Sequence, residues 1–219
     1  MEPILRREQP TDYKEVENVT REAFWNHHVP GCDEHYLVHV MRNSVDFIPE
    51  LDYVALDGEM IVGNIMYTKS SVLTDSGETY PVLCFGPISV LPEYQGMGVG
   101  TKLIEHTKVL AREMGYTSII IYGDPDYYKR VGFVPAKTYD IGTELNTYSD
   151  ALLCCELVPN ALKTYAGRFF ESPVYHIEEN KAAEFDLTFP PKEKQSGLPS
   201  QLRFKVLSTT STPRNTLLF

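Results

Sequence analysis

The segment Gln95 to Thr101, QGMGVGT, constrains this chain more than any other because it joins a long apolar run to a strongly amphipathic one. Upstream, Tyr80 to Leu91 reads as a strand. Downstream, Val99, Leu103, Thr107, Leu110, Ala111 and Met114 recur at spacings of three and four, and Gly115 stands where such a helix stops. Strand, glycine-rich turn and helix start, in that order, leave main-chain N–H groups unpaired at a positively polarised helix end with no side chains blocking an anion. A phosphate or pyrophosphate suits such a turn. The dinucleotide fingerprint asks for a third glycine where Thr101 stands, and for an acidic residue about 20 positions on that the chain does not clearly supply. Walker-type spacing is absent too, since no glycine is followed five residues later by Gly-Lys-Ser/Thr.

The rest of the chain places this turn in a mixed architecture. Tyr13, Val16, Val19 and Ala23 describe a helix from Asp12 to Phe24, with Asp12 and Glu15 at capping-box spacing, and Tyr36, Leu37, Val40 and Met41 describe a second beginning near Asp33. Leu51 to Leu56, an Asp57-Gly58 turn and Ile61 to Leu73 read as a hairpin, and Tyr80 to Leu91 extends it to an antiparallel meander. After the glycine turn and its helix, Ser118 to Tyr122 (SIIIY) is a short β-branched run of the kind buried on both faces, which implies a parallel pair. Asp126 to Val131 reads as a brief helix, Phe133 to Ala136 and Ala151 to Leu157 as strands, and Glu178 to Phe189 as a helix. The final 30 residues, with PPKEK, SGLPS and STTSTP, read as loop.

A length of 219 residues fits one large domain or one domain with an appendage, and 42% apolar with 23% charged residues is ordinary globular composition. No apolar run approaches the roughly 20 residues that span a bilayer, and the amino terminus has charge without an apolar segment behind it, so the expectation is a cytoplasmic protein with no membrane partner. Cys32, Cys84, Cys154 and Cys155 form no disulfide framework; adjacent strand residues such as Cys154 and Cys155 point to opposite faces. The net charge of −10 is uneven, because the chain from Pro190 onward is basic and the acid excess lies in the body. An acidic body argues against nucleic acid and favours a cationic ligand.

The turn matches Q-x-x-G-x-G through Gln95, Gly98 and Gly100, and is preceded by FGPISVLPEYQ and followed by SIIIYG and YYKRVGF. Together with the order of elements, from roughly Tyr13 to Leu157, the sequence resembles the GNAT superfamily of acyl-CoA-dependent N-acetyltransferases. The resemblance implies an α+β (mixed α/β) GNAT fold: a mixed, mostly antiparallel central sheet, with a parallel pair splayed around acetyl-CoA, flanked by helices. Residues 1–160 would form the GNAT domain, and 161–219 a helical extension with a basic, loop-like tail. Acetyl-CoA is the implied co-substrate. Main-chain groups from Gly96, Met97, Gly98, Val99, Gly100 and Thr101, with Gln95, would hold its pyrophosphate, and pantetheine would lie along Ile88, Ser89 and Val90. Pro87 bears this out independently, since a proline in a central-looking strand marks a local break and frees neighbouring N–H groups for other acceptors.

Acetyl transfer to an amine needs a neutral amine, two reactants held together, a stabilised oxyanion and a proton for the departing thiolate. The resemblance assigns the proton to Tyr128 in YYKRVGF, with Tyr127 beside the cofactor. Asp124 is a candidate to orient or deprotonate the amine; Glu22, Glu34 and His39 are alternatives, and a water chain would serve equally. His27, His28, Cys32, His35 and His39 include an i, i+4 pair that can bind zinc, but no second Cys-rich pair completes a tetrahedral set and no glutamate stands as in H-E-x-x-H, so no metal is expected. The reading is an N-acetyltransferase acting on a primary amine, a small cationic one, by direct attack in a ternary complex. Its rivals are a non-catalytic acyl-CoA-binding or regulatory module and a protein or peptide N-acetyltransferase. The oligomeric state stays open, a homodimer included.

Overall fold

In the computed structural model, which describes residues 2–214, strand β1 (Ile4–Arg7) leads into helices α1 (Tyr13–Phe24) and α2 (Glu34–Met41). Strands β2 (Tyr53–Asp57), β3 (Met60–Thr74) and β4 (Thr79–Val90) form the expected meander. Helix α3 (Val99–Glu113), strand β5 (Ser118–Tyr122) and the one-turn helix α4 (Pro125–Tyr128) follow. Short strands β6 (Val134–Pro135), β7 (Ile141–Gly142), β8 (Thr147–Ser149), β9 (Leu152–Glu156) and β10 (Gly167–Phe170) come next, then helices α5 (Glu179–Asp186) and α6 (Pro199–Thr209) and strand β11 (Ser211–Pro213). Nine strands make one mixed sheet ordered β1-β2-β3-β4-β5-β9-β6, with β10 paired to β3 and β7, while β8 and β11 form a separate ladder. The expected parallel pair is β4–β5, and a second joins β7 to β10. The described residues divide into two units, one made of 2–67, 86–107 and 173–204, the other of 68–85, 108–172 and 205–214.

In the first unit α1 buries Val16, Val19 and Thr20, and α2 buries Leu37, Val38 and Met41, as their helical spacing dictates. The Asp12–Glu15 capping box does not form. A 3-10 turn at Pro10–Asp12 comes first, and the Asp12 carboxylate instead accepts the Gln9 N–H at 2.8 Å and pairs with Arg6. Part of the carboxyl-terminal stretch expected as loop is α6. Pro199 opens that helix where its missing N–H is no loss, and Leu202, Arg203 and Lys205 are good helix formers that flanking Gly, Ser and Pro mask in a compositional reading. The loop before α6 is itself tied down: Trp25 Nε1 and Asn26 Nδ2 both donate to the Glu193 carbonyl, and the Gln195 N–H donates to Asn26 Oδ1. Residues 215–219 of the expected tail lie outside the described residues.

In the second unit β5 has buried residues at its first four positions and pairs on both edges, with β4 at Leu83↔Ile119 and with β9 from Ser118↔Glu156 to Tyr122↔Leu152. Double-sided pairing is why SIIIY carries no alternation. Cys154 and Cys155 are both buried free thiols on β9. Phe133 to Ala136 shrinks to the two residues of β6, because Pro135 has no N–H to extend the ladder and Ala136 begins a 3-10 turn.

Candidate active site

Strand β4 ends at Val90, and a 3-10 turn at Pro92–Tyr94 redirects the chain into the glycine segment. Gly96 and Gly98 have φ of +76° and +83°, where a β-carbon is strained, and a β-carbon built on either meets no atom within 4 Å. The glycines are therefore required by the path of the backbone, and the side they leave bare is open. The Gly98 carbonyl accepts the Lys102 N–H at 3.0 Å and starts the α3 ladder, so the N–H groups of Val99, Gly100 and Thr101 precede any intrahelical acceptor. Buried Val99 anchors this end, while Met97 and Thr101 are exposed. Gln95 closes the turn onto the strand, its Nε2 donating to the Val90 carbonyl at 3.0 Å.

Along the end of β4, Gly86, Ile88 and Val90 are half-buried and alternate with buried Phe85, Pro87 and Ser89. The Leu91 N–H donates to the Val62 carbonyl at 2.9 Å, and the Ser89 carbonyl lies 2.7 Å from where a Gly63 β-carbon would stand. Ser89 and Leu91 thus turn their main-chain groups toward β3, so by the two-residue period those of Ile88 and Val90 turn to the other edge. The strand continues through Gly86-Pro87, and the local break expected there takes the form of a cis peptide bond. Parallel pairing with β5 falls at Leu83↔Ile119, ahead of Pro87.

The other three candidates sit together in the second unit. Asp124 caps α4, its carboxylate accepting the Asp126 N–H at 2.8 Å and its carbonyl accepting from Tyr127 and Tyr128. The Tyr128 ring packs on Phe85 and Phe133 and meets the Tyr127 ring edge to face. A β-carbon on Gly123 would fall 2.2 Å from this ring, so Gly123 is the residue that lets Tyr128 lie against the chain. Sequence reading passed over Gly123 because nothing local announces what approaches it. Burial pushes the Tyr128 phenol well above its ordinary value, with the neighbouring Tyr127 and Cys84 adding to the rise. Tyr128 is therefore neutral and a hydrogen-bond donor across the physiological range.

The remaining candidates have partners of their own. Glu22 pairs with Lys192 at 2.7 Å, Glu34 with His28 at 2.9 Å, and His39 with Glu17 at 2.8 Å. Cys32 Sγ lies 3.4 Å from His35 Nδ1, and burial pushes the His35 imidazole down to about 4. His27 stacks obliquely on His28.

The strand order and the glycine turn at the start of α3 match those of proteins already known. Residues 50–135 match the family model of the acetyltransferase (GNAT) domain, and the fold is that of GNAT acetyltransferases of known structure. Over 165 residues it is 27% identical to the uncharacterized N-acetyltransferase YhbS of Escherichia coli strain K12, a match spanning 75% of this chain and 93% of that protein. The crystal structure of E. coli YhbS in complex with CoA aligns with a TM-score of 0.71 at 24% identity, covering 81% of this chain and 93% of that one. A GNAT family acetyltransferase from Brucella melitensis in complex with acetyl-CoA aligns with a TM-score of 0.63 at 24% identity, covering 79% and 97%.

Proposed function

We propose that this protein is an N-acetyltransferase that moves an acetyl group from acetyl-CoA to a primary amine by direct attack. The observation that carries the reading is the glycine turn: two left-handed glycines with open space beside them, leading to three N–H groups ahead of the α3 ladder. These groups would hold the diphosphate, whose charge the helix end favours. The N–H groups of Ile88 and Val90, which face away from β3, would hold the pantetheine arm and the oxyanion formed as the amine adds to the thioester carbonyl. The two solved relatives bind CoA or acetyl-CoA, which supports the same co-substrate here.

In the chemical step the amine nitrogen bonds to the acetyl carbon, the C–S bond breaks, and the proton shed by nitrogen ends on sulfur. A thiol has a pKa near 8.5, below that of a buried phenol, so complete transfer from Tyr128 runs uphill. The assigned role of Tyr128 is to donate a hydrogen bond to the sulfur as negative charge builds there and to pass on the proton the amine releases. Asp124, fixed by its capping bonds, would orient the amine, and the acidic body favours a small cationic acceptor. Calorimetry with CoA, followed by thiol release from acetyl-CoA across a panel of amines, tests this. Micromolar binding with turnover of a small amine is the expected result, and turnover of peptides alone would move the assignment to a protein acetyltransferase. Binding without turnover would leave only an acyl-CoA-binding module.

A further inference from the structure

Behind the edge of β4 lies a row of three polar side chains sealed from solvent: Ser89 on β4, Thr20 on α1 and Asn64 on β3, each 0% exposed. Ser89 Oγ donates to Thr20 Oγ1 at 3.0 Å, and Thr20 Oγ1 donates to Asn64 Oδ1 at 3.3 Å. The direction follows from the far end, because an amide oxygen can only accept. Asn64 Nδ2 is left buried with no acceptor. Exchanging the amide oxygen and nitrogen would move the unpaired group to the oxygen without removing it, and a buried orphan of either kind is destabilising. Apolar side chains of similar volume would avoid that cost, so stability is a poor reason for the row.

Its geometry offers a better one. Counting two residues along each antiparallel strand from the Leu91–Val62 bond sets Asn64 across from Ser89, on the face that Thr20 reaches. On the same pair, bare Gly63 lets the Ser89 carbonyl approach to a distance that any β-carbon forbids. Ser89 is thus held by its hydroxyl, by its carbonyl and by its register. On either side of it, Ile88 and Val90 turn their N–H groups off the opposite edge.

We infer that Thr20 and Asn64 are positioning residues for acetyl transfer, holding through Ser89 the Ile88 and Val90 N–H groups where the pantetheine arm and thioester need them. The inference rests on the proposed acetyl-CoA site. A donor displaced by about 1 Å from its acceptor loses most of its effect on the reaction, which makes a rigid, fully buried brace more useful than a solvated one.

The test compares two ligands by calorimetry: CoA, which has the pantetheine arm, and adenosine 3′-phosphate 5′-diphosphate, which has the diphosphate without it. Thr20→Val keeps the volume of the side chain and removes the hydroxyl, and Ser89→Ala shortens the row from its other end with less change in packing. Each is expected to weaken CoA about 10-fold, the equivalent of one hydrogen bond, while the diphosphate fragment binds within twofold of wild type. Thr20→Ser restores the hydroxyl and is expected to restore CoA affinity. Equal losses for both ligands, unchanged CoA affinity in a folded Thr20→Val or Ser89→Ala protein, or no rescue by Thr20→Ser would overturn the inference. Wild-type protein that binds neither ligand would instead overturn the acetyl-CoA reading, and this inference with it.

Discussion

At the scale of single residues, Tyr128 owes its weakened acidity first to burial, with Tyr127 and Cys84 adding to it. Burial raises its phenol, so Tyr128 keeps its proton to a higher pH than an exposed tyrosine, whose pKa is about 10. The rate of acetyl transfer is expected to climb from about pH 7 to about pH 10 as the acceptor amine loses its proton, with no falling limb from the phenol in that window. Tyr128→Phe should lower kcat about 10²-fold or more and leave CoA affinity within twofold, which steady-state kinetics beside calorimetry would show. Gly98→Ala makes the opposite split. Its β-carbon meets no atom but must adopt φ near +83°, so a shifted turn should weaken CoA about 10-fold, with a loss of about 1 kcal/mol in folding stability by urea titration. The glycines of the turn were legible because a strand and a helix flank them. Gly63 and Gly123 were not, since the atoms that exclude their β-carbons come from Ser89 and from the Tyr128 ring.

Among the elements, the junction of β1, β2 and α2 carries a titratable device that composition does not reveal. The Glu8 carboxylate is sealed from solvent and takes two bonds from Arg42, at 2.9 and 2.7 Å, while the Glu8 N–H donates to the Asp52 carbonyl. Asp52 is buried beside it, and burial together with the hydrogen bond and charge of Glu8 pushes its carboxyl up to about 9. An unfolded aspartate titrates near about 3.9. The folded protein therefore holds a proton that the unfolded chain releases, and stability should fall as pH rises from about 4 toward 9. Asp52→Asn supplies a neutral donor to Glu8 at every pH. Urea denaturation at pH 5, 7 and 8.5 should show that slope flattened in the variant, and an unchanged slope would mean that Asp52 ionises normally. Long elements such as α1, β3, β4 and α3 were readable from periodicity. The short strands β7, β8, β10 and β11 were not, because two to four residues carry no period and become strands only by meeting a partner.

The described part of the second unit ends on Arg214, which is 3% exposed and binds both Asp75 and Asp140, with a further bond to the Asn146 side chain. Side-chain partners 68 to 139 residues away along the chain make this arginine the tie between the end of the described chain and the rest of its unit. Arg214→Ala should cost about 1–2 kcal/mol in thermal or urea unfolding, less than a fully buried pair because the carboxylates left behind are partly solvated, and should bring early proteolysis near β11. Native melting with intact β11 would refute that anchoring role. Sequence alone determined the class of fold, the place of the glycine turn and the neighbourhood of Tyr128, because apolar periodicity and glycine at a helix start are local physical demands. Tertiary structure alone decided which residues are paired, which are neutral and which brace the β4 edge. Burial, charge neighbours and the approach of one backbone to another depend on segments brought together from distant parts of the chain.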